Sequence, residues 1–289
     1  MTDPTTPRVA ILPYGVPLGW RPSALALDRL IWPLGQPEGI AGQTLGDLRP
    51  EDHLIVPPRD THHCRLGFGT RARVSLMFME PRAIHSHHMQ LLRLTHRRFY
   101  RVLSADDTLL AQIPNGVFFP FGDSWVQGWR DLEIEKTAMC SLIASAKRSQ
   151  EGHRLRHDTV EWIRAGGRDV DVMGMGYRPF AAKSEGLAPY RFSIVIENVR
   201  ERNYFSEKLV DAILCQCVPI YWGCPNIGDF FDPAAIIQCE SAADVRRAVE
   251  QMNEAGFKAR QPALAAMRAR AGEFADLHRR AAEAVLAEG

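Results

Sequence analysis

Short apolar runs, each closed by proline, glycine or charge, recur along this chain and set its elements. Val9-Ala-Ile-Leu12, His53-Leu-Ile-Val56 and Val74-Ser-Leu-Met-Phe78 read as buried strands, and Phe99-Tyr-Arg-Val-Leu103 as another. Ala24 to Trp32 predicts helical or irregular chain, His85 to Leu94 a helix, and Asn115-Gly116 a turn. Further on, Met139 to Ala144, Val170 to Gly174, Phe192 to Glu197, 218–222 and Ala235 to Gln238 predict strands. Arg154 to Ile163 and 207–216 predict helices between them. Ser241 is a good N-cap for the helix after the last strand, and the Ala/Arg/Glu-rich tail from Gln261 predicts helix packed at an edge.

Strands alternating with helices imply parallel sheets joined by right-handed crossovers. The charged stretch Asp131-Leu-Glu-Ile-Glu-Lys136 reads as a linker, dividing an amino-terminal α/β domain, 1–135, from a carboxyl-terminal one, 136–289. A length of 289 residues suits two domains better than one.

Composition narrows the classes. Hydrophobic residues make up 46% and charged residues 24%, which are globular values. Lys plus Arg number 35 against 34 Asp plus Glu, a balance of +1 that lacks the basic excess of a nucleic-acid binder. Any anion is therefore expected to be held locally. The six cysteines are scattered through apolar runs, and the polar opening Met1 to Arg8 has no apolar signal core. No run of about 18 apolar residues occurs. These features predict a reducing, cytoplasmic location without a transmembrane segment; peripheral attachment at the inner membrane face is left open.

Candidate chemistry concentrates between residues 190 and 227. Tyr190-Arg-Phe-Ser-Ile-Val-Ile-Glu-Asn198 predicts a strand and its exit, with Glu197 and Asn198 where a ligand of an open sheet would lie. Ser206 predicts an N-cap, and Leu209, Val210, Ile213, Leu214 and Cys217 fall on one face of the helix that follows. Lys208 in the first turn is at the end of a helix that ordinarily repels cations. A diphosphate in front of that turn would reverse the sign. Arg191, Arg200 and Arg202 flank the same loop by sequence; for Arg200 and Arg202 a solvated loop is the favoured reading.

The order Phe-x-x-x-x-Glu-Asn, a short loop, Tyr-x-Ser/Thr-Glu-Lys-Leu, then Val-Pro-Ile/Val-Tyr-Trp-Gly-x-Pro-Asn-Ile resembles the carboxyl-terminal motif of the α-1,3/4-fucosyltransferases, glycosyltransferase family 10. Here it is Phe192 to Asn198, Tyr204 to Leu209 and Val218 to Ile227, with a looser likeness through Ser141 to Ser145, Gly152 to Arg156 and Val170 to Gly174. The resemblance implies an α/β fold of GT-B type, two Rossmann-like domains facing across a cleft. It implies an inverting glycosyltransferase with GDP-fucose as donor, a glycan hydroxyl as acceptor, and no cofactor or metal. Arg156 and Lys208 would grip the diphosphate beside Asn198 and Tyr204, Glu197 would end the strand at the nucleotide, and Glu207 would hold the ribose. Ser206 stands where Thr is usual, Val210 where an aromatic is frequent, and Arg200-Glu-Arg202 where small residues are common. The sugar is thus less fixed than the fold: the same scaffold with another nucleotide-sugar, or a non-catalytic nucleotide or glycan binder, are the alternatives.

Glu80, at the end of an apolar run and before Pro81, is the expected base, its pKa raised by burial. The family's base occupies a corresponding strand end. His85 and His88 are expected to touch the acceptor. A metal is not expected at these histidines, because His87 and His88 are adjacent on a helix and match no standard zinc spacing. Gly174-Met-Gly176 lacks the third glycine of a dinucleotide loop. Trp20, Trp125, Trp129 and Phe118 to Phe121 could line a sugar platform, with core packing the default for most of them.

Overall fold

A computed structural model describes residues 6–287; the opening stretch read as lacking a signal core lies largely outside them. Contacts divide the chain into two compact units, residues 1–121 with 277–289, and residues 122–276. The sequence reading divides it at 135/136 and leaves the last helix with the second unit.

The first unit holds β1 (Val9–Ile11), β2 (His53–Val56), α1 (Asp60–Cys64), β3 (Arg73–Met77), α2 (Arg82–Thr95), β4 (Val102–Ser104), α3 (Asp107–Leu110) and β5 (Gly116–Phe118). All five strands are parallel and lie in sequence order. β5 is missing from the sequence reading because the strand is short and its residues are only partly covered. Right-handed crossovers between strands in sequence order place the connecting helices on one face. The alternation along the strands agrees: Ala10, Leu54, Val56, Val74, Leu76 and Val102 pack with Met89 and Leu92 of α2 and Leu109 of α3. The opposite side chains, Val9, Ile11, Ile55, Met77 and Leu103, would meet water. They are covered instead by α8 (Leu277–Leu286), through Leu277, Ala281, Ala282 and Val285. The tail read from Gln261 thus divides: the part in the helix Glu254–Glu273 packs in the second unit, and α8 is the missing layer of the first.

The second unit holds β6 (Ala138–Ile143), α4 (Glu151–Ala165), β7 (Asp171–Met173), β8 (Tyr190–Ile196), α5 (Glu207–Leu214), β9 (Val218–Trp222), β10 (Ile237–Gln238), α6 (Ala242–Gln251) and α7 (Glu254–Glu273). Its parallel strands run in the order β7-β6-β8-β9-β10. The chain steps outward from β6 to β7, then crosses back over β6 to β8, so the direction of winding reverses between β6 and β8. Both β8 and β9 are almost continuously buried, the pattern of a parallel sheet covered on both faces. α5 differs from the amphipathic helix expected: Leu209 through Leu214 are all buried, Asp211 included. Asp211 is tolerated because it accepts from Ser124 Oγ (2.7 Å) and Trp125 N (3.1 Å) and pairs with Lys183 Nζ (2.7 Å). Ser241 caps α6 as expected, accepting from Asp244 N. All six cysteines are free, and only Cys64 is exposed.

Candidate functional site

In an open parallel sheet, ligands lie outside the carboxyl ends of the strands where the winding direction reverses. In the second unit that point is between β6 and β8, and two segments meet there. One is the start of α4, which follows β6; the other is Glu197-Asn198 at the exit of β8. Gly152 N donates to Asn198 O at 2.9 Å, and a Cβ at 152 would stand 1.7 Å from Glu197 O. Glycine is required for that approach.

Glu197 is completely buried. Its carboxylate accepts from Ser206 N (2.8 Å) and Ser206 Oγ (2.6 Å), and Lys208 Nζ lies 3.4 Å from it. The acid thus ties the β8 exit to the amino end of α5. Ser206 is the N-cap expected, with its Oγ facing Lys208 N at 3.4 Å. The preceding Phe205 is locked in a ring cluster with Phe230, Phe231 and Phe274, centroids 5.0–5.2 Å away, which fixes where α5 begins. Asn203, in the left-handed region at φ 60°, exchanges hydrogen bonds with Asn226 after β9 (2.9 and 2.8 Å), anchoring the rest of the loop.

Lys208 sits between two carboxylates, 3.4 Å from Glu197 and 3.3 Å from Glu207, with about a quarter of its side chain (24%) exposed. Desolvation works to lower its pKa, but Glu197 and Glu207 outweigh it and the pKa is raised. Burial likewise pushes Glu207 up, and Lys208 and Lys183 reverse that, leaving it below the ordinary carboxylate range. The local pairing explains a cation in a first helical turn without any ligand, a possibility the one-dimensional reading lacks. The exposed part of Lys208 is what a ligand could reach.

Arg156 lies one turn into α4 and is buried. Its Nη2 donates to Asn198 Oδ1 at 2.8 Å, while its Nε is buried with no hydrogen-bond partner. Desolvation lowers its pKa, against the pull of Glu197, Glu207 and Tyr204. His153 reports the same field: burial, then Arg156, Lys147 and Lys208, lower its pKa to about 4. Its Nδ1 accepts from Gln150 N (3.1 Å), holding the first turn of α4.

Five of the six residues predicted for the nucleotide are therefore joined: Arg156 bonds Asn198, and Glu197, Lys208 and Glu207 form one charged chain. Tyr204 is buried in the same loop. Arg191 is misplaced in the sequence reading. It is the second residue of β8 and donates to Ala138 O (3.2 Å), at the amino end of a strand about 20 Å long. Arg200 pairs with Glu240 at 3.4 Å, so the loop explanation suits it. Gly152 and His153 lie in the stretch of looser likeness but are given no role there, and Lys183 is missed from sequence. Gly152 and Lys183 act through contacts distant along the chain, His153 through the local turn at Gln150.

In the first unit, Glu80 lies in the bend between the β3 end and Pro81, which opens α2. It is half-buried rather than enclosed, because the strand ends at Met77 and the chain has already turned outward. Two residues on, Arg82 makes a bidentate pair with Asp106 (2.6 and 2.5 Å), clamping the exits of β3 and β4 together. His85 is buried, edge-on to Phe78, and its pKa is lowered to about 4 by burial and by His88 and His87. His88 is mostly covered and lies 3.1 Å from His63. The reason given against convergence of His87 and His88 does not hold: both reach toward Asp60.

Comparisons with known proteins fit this geometry. The fold is that of the GT-B glycosyltransferases, two parallel α/β units in one chain. A crystal structure of an α1,3-fucosyltransferase with GDP superposes with a TM-score of 0.53, covering 96% of this chain and 94% of that one at 12% identity. A UDP-forming α,α-trehalose-phosphate synthase from Burkholderia vietnamiensis gives 0.54, covering 86% and 74%, also at 12%. Residues 133–258 match the family model described as glycosyltransferase family 10 (fucosyltransferase), C-terminal, a span that lies within the second unit. An α-(1,3)-fucosyltransferase of Helicobacter pylori is 27% identical over 93 residues, 32% of this chain and 19% of that protein. The chain thus aligns with about a fifth of that relative's length.

Proposed function

We propose that this chain is an inverting, metal-independent glycosyltransferase that moves a sugar, most simply L-fucose from GDP-fucose, onto a glycan hydroxyl. The observation that carries this reading is the state of Arg156 at the winding reversal. A buried guanidinium whose Nε has no partner is costly, and an anion at the same strand exits would complete it. Lys208, partly exposed above Glu197 and Glu207, supplies the second cation. Negative charge grows on the diphosphate as the sugar departs, so two fixed cations act where charge develops. Asn198 holds Arg156 in orientation, Tyr204 lies beside them, and Glu207 is the carboxylate nearest for ribose hydroxyls. Glu197 acts by positioning Ser206 and Lys208.

Glu80 is the proposed base that takes the acceptor proton, with His85 and His88 behind it on α2. Its part-exposed position suits a group that must meet an acceptor. A second reading, another nucleotide-sugar on the same scaffold, is supported by the likeness to the UDP-forming synthase, since the fold does not choose the donor.

The test pairs two variants. Lys208→Ala is expected to weaken GDP binding by about two orders of magnitude in calorimetry, the loss of a charge-assisted contact to phosphate. Glu80→Gln is expected to bind GDP as the parent does and to release none from GDP-fucose with acceptor. Unchanged GDP affinity in the first, or full turnover in the second, would remove that residue from its role.

A further inference from the structure

We propose that Asp60, His87 and His88 form a binding site for one divalent transition-metal ion of the zinc, cobalt or nickel class, with His63 as fourth ligand. The site belongs to the first unit alone and does not depend on the sugar-transfer reading.

α1 and α2 bring Asp60, His87 and His88 together, and His63 of α1 reaches the group through His88. One ligand atom from each of Asp60, His87 and His88 lies within 4.8 Å of the others. His87 Nε2 is 2.6 Å from Asp60 Oδ1, His88 Nδ1 is 3.8 Å from the same oxygen, and His63 Nε2 is 3.1 Å from His88 Nδ1. Ligand atoms about 2.0–2.2 Å from a tetrahedral ion stand roughly 3.3 Å from one another, and the two separations from Asp60 Oδ1 bracket that value. His63 would have to close on the ion from its place beside His88. Asp60 and His87 are open to solvent, which leaves a path for an ion.

The tautomer of His63 follows from its other neighbour. Thr95 Oγ1 donates its only proton to Leu91 O (2.9 Å), so toward His63 Nδ1 (2.9 Å) it accepts. His63 therefore carries its proton on Nδ1 and turns the Nε2 lone pair toward His88. A ring fixed through its far nitrogen in this way is the usual support of a metal-ligating histidine. Without an ion, His88 Nδ1 must hold a proton for His63, and Asp60 with His87 is an exposed pair that contributes little. Three imidazoles and one carboxylate are a nitrogen-rich set that prefers zinc, cobalt or nickel over magnesium or calcium.

Full-length, tag-free protein stripped with chelator is titrated with Co²⁺ and followed by visible absorbance, then back-titrated with Zn²⁺. One ion per chain with the bands of a tetrahedral site is expected. His87→Ala and His88→Ala should each weaken binding at least 100-fold, and His63→Ala or Thr95→Val by 10- to 100-fold. Circular dichroism without metal should be unchanged for His87→Ala, because His87 lies on the surface; for the variants at the covered His63 and His88 it identifies which remain folded. Absence of binding, or binding undiminished in folded His87→Ala and His88→Ala, overturns the site. Undiminished binding in folded His63→Ala overturns the fourth ligand.

Discussion

The two units use the same elements and differ in how their sheets are wound. In the second, the winding reverses between β6 and β8, and that reversal gathers the α4 start, the β8 exit and the α5 start into one charged place. In the first, five strands are laid down in order with no reversal among the described residues, and one face is covered by a helix from much later in the sequence. By the general rule for open parallel sheets, topology points to a ligand location in one unit and leaves it open in the other. The donor-side assignments rest on joined side chains, whereas Glu80 rests on its place at a strand end.

The sharpest way to break this comparison is to remove residues 277–287. Burying Leu277 and Val285 contributes about 1.5–3 kcal/mol each, and the alanines add to that. The loss approaches the whole stability of a domain. Limited proteolysis should then cut within 6–121 while 122–276 remains protected. A first unit that stays resistant would show that α8 is dispensable.

Next is Glu197→Ala, which removes one of the two carboxylates beside Lys208 and the acceptor that holds Ser206. It should lower the stability of the second unit by about 3–5 kcal/mol in urea denaturation, because one member of a buried pair is removed. A loss under 1 kcal/mol would contradict its role as the strut of the site.

The smallest effect sharpens the comparison through pH. His53, buried at the start of β2, has its pKa lowered from 6.5 to about 4 by desolvation, then by Arg73 and Arg101. The unfolded chain takes up this proton near pH 6.5 and the folded one only near pH 4. Stability from His53 is therefore full above pH 6.5 and falls as pH drops toward 4, by up to about 1.4 kcal/mol per pH unit. His53→Gln should flatten that slope by one proton in denaturation series at successive pH values. An unchanged slope would mean that His53 is charged in the fold.

Legibility from sequence followed the same division. The second-unit strands were readable because parallel strands buried on both faces leave apolar runs, and its site because Glu197-Asn198 and Ser206-Glu-Lys208 lie close together in the chain. The α8 layer was not readable, since nothing in an Ala/Arg/Glu helix says which sheet it covers. Nor was the Lys208 pairing with Glu197, which depends on how the β8 exit folds back over α5. The convergence of His87, His88 and Asp60 was missed because helical spacing alone ignores side-chain reach across to α1.

The central claim, that a nucleoside diphosphate binds at the winding reversal of the second unit, is tested most directly by hydrogen–deuterium exchange with and without GDP. Protection is predicted at residues 149–157 and 197–209, the start of α4 and the loop entering α5, and should disappear in Lys208→Ala. Protection confined to other segments, or exchange unaffected by saturating GDP, would contradict the account.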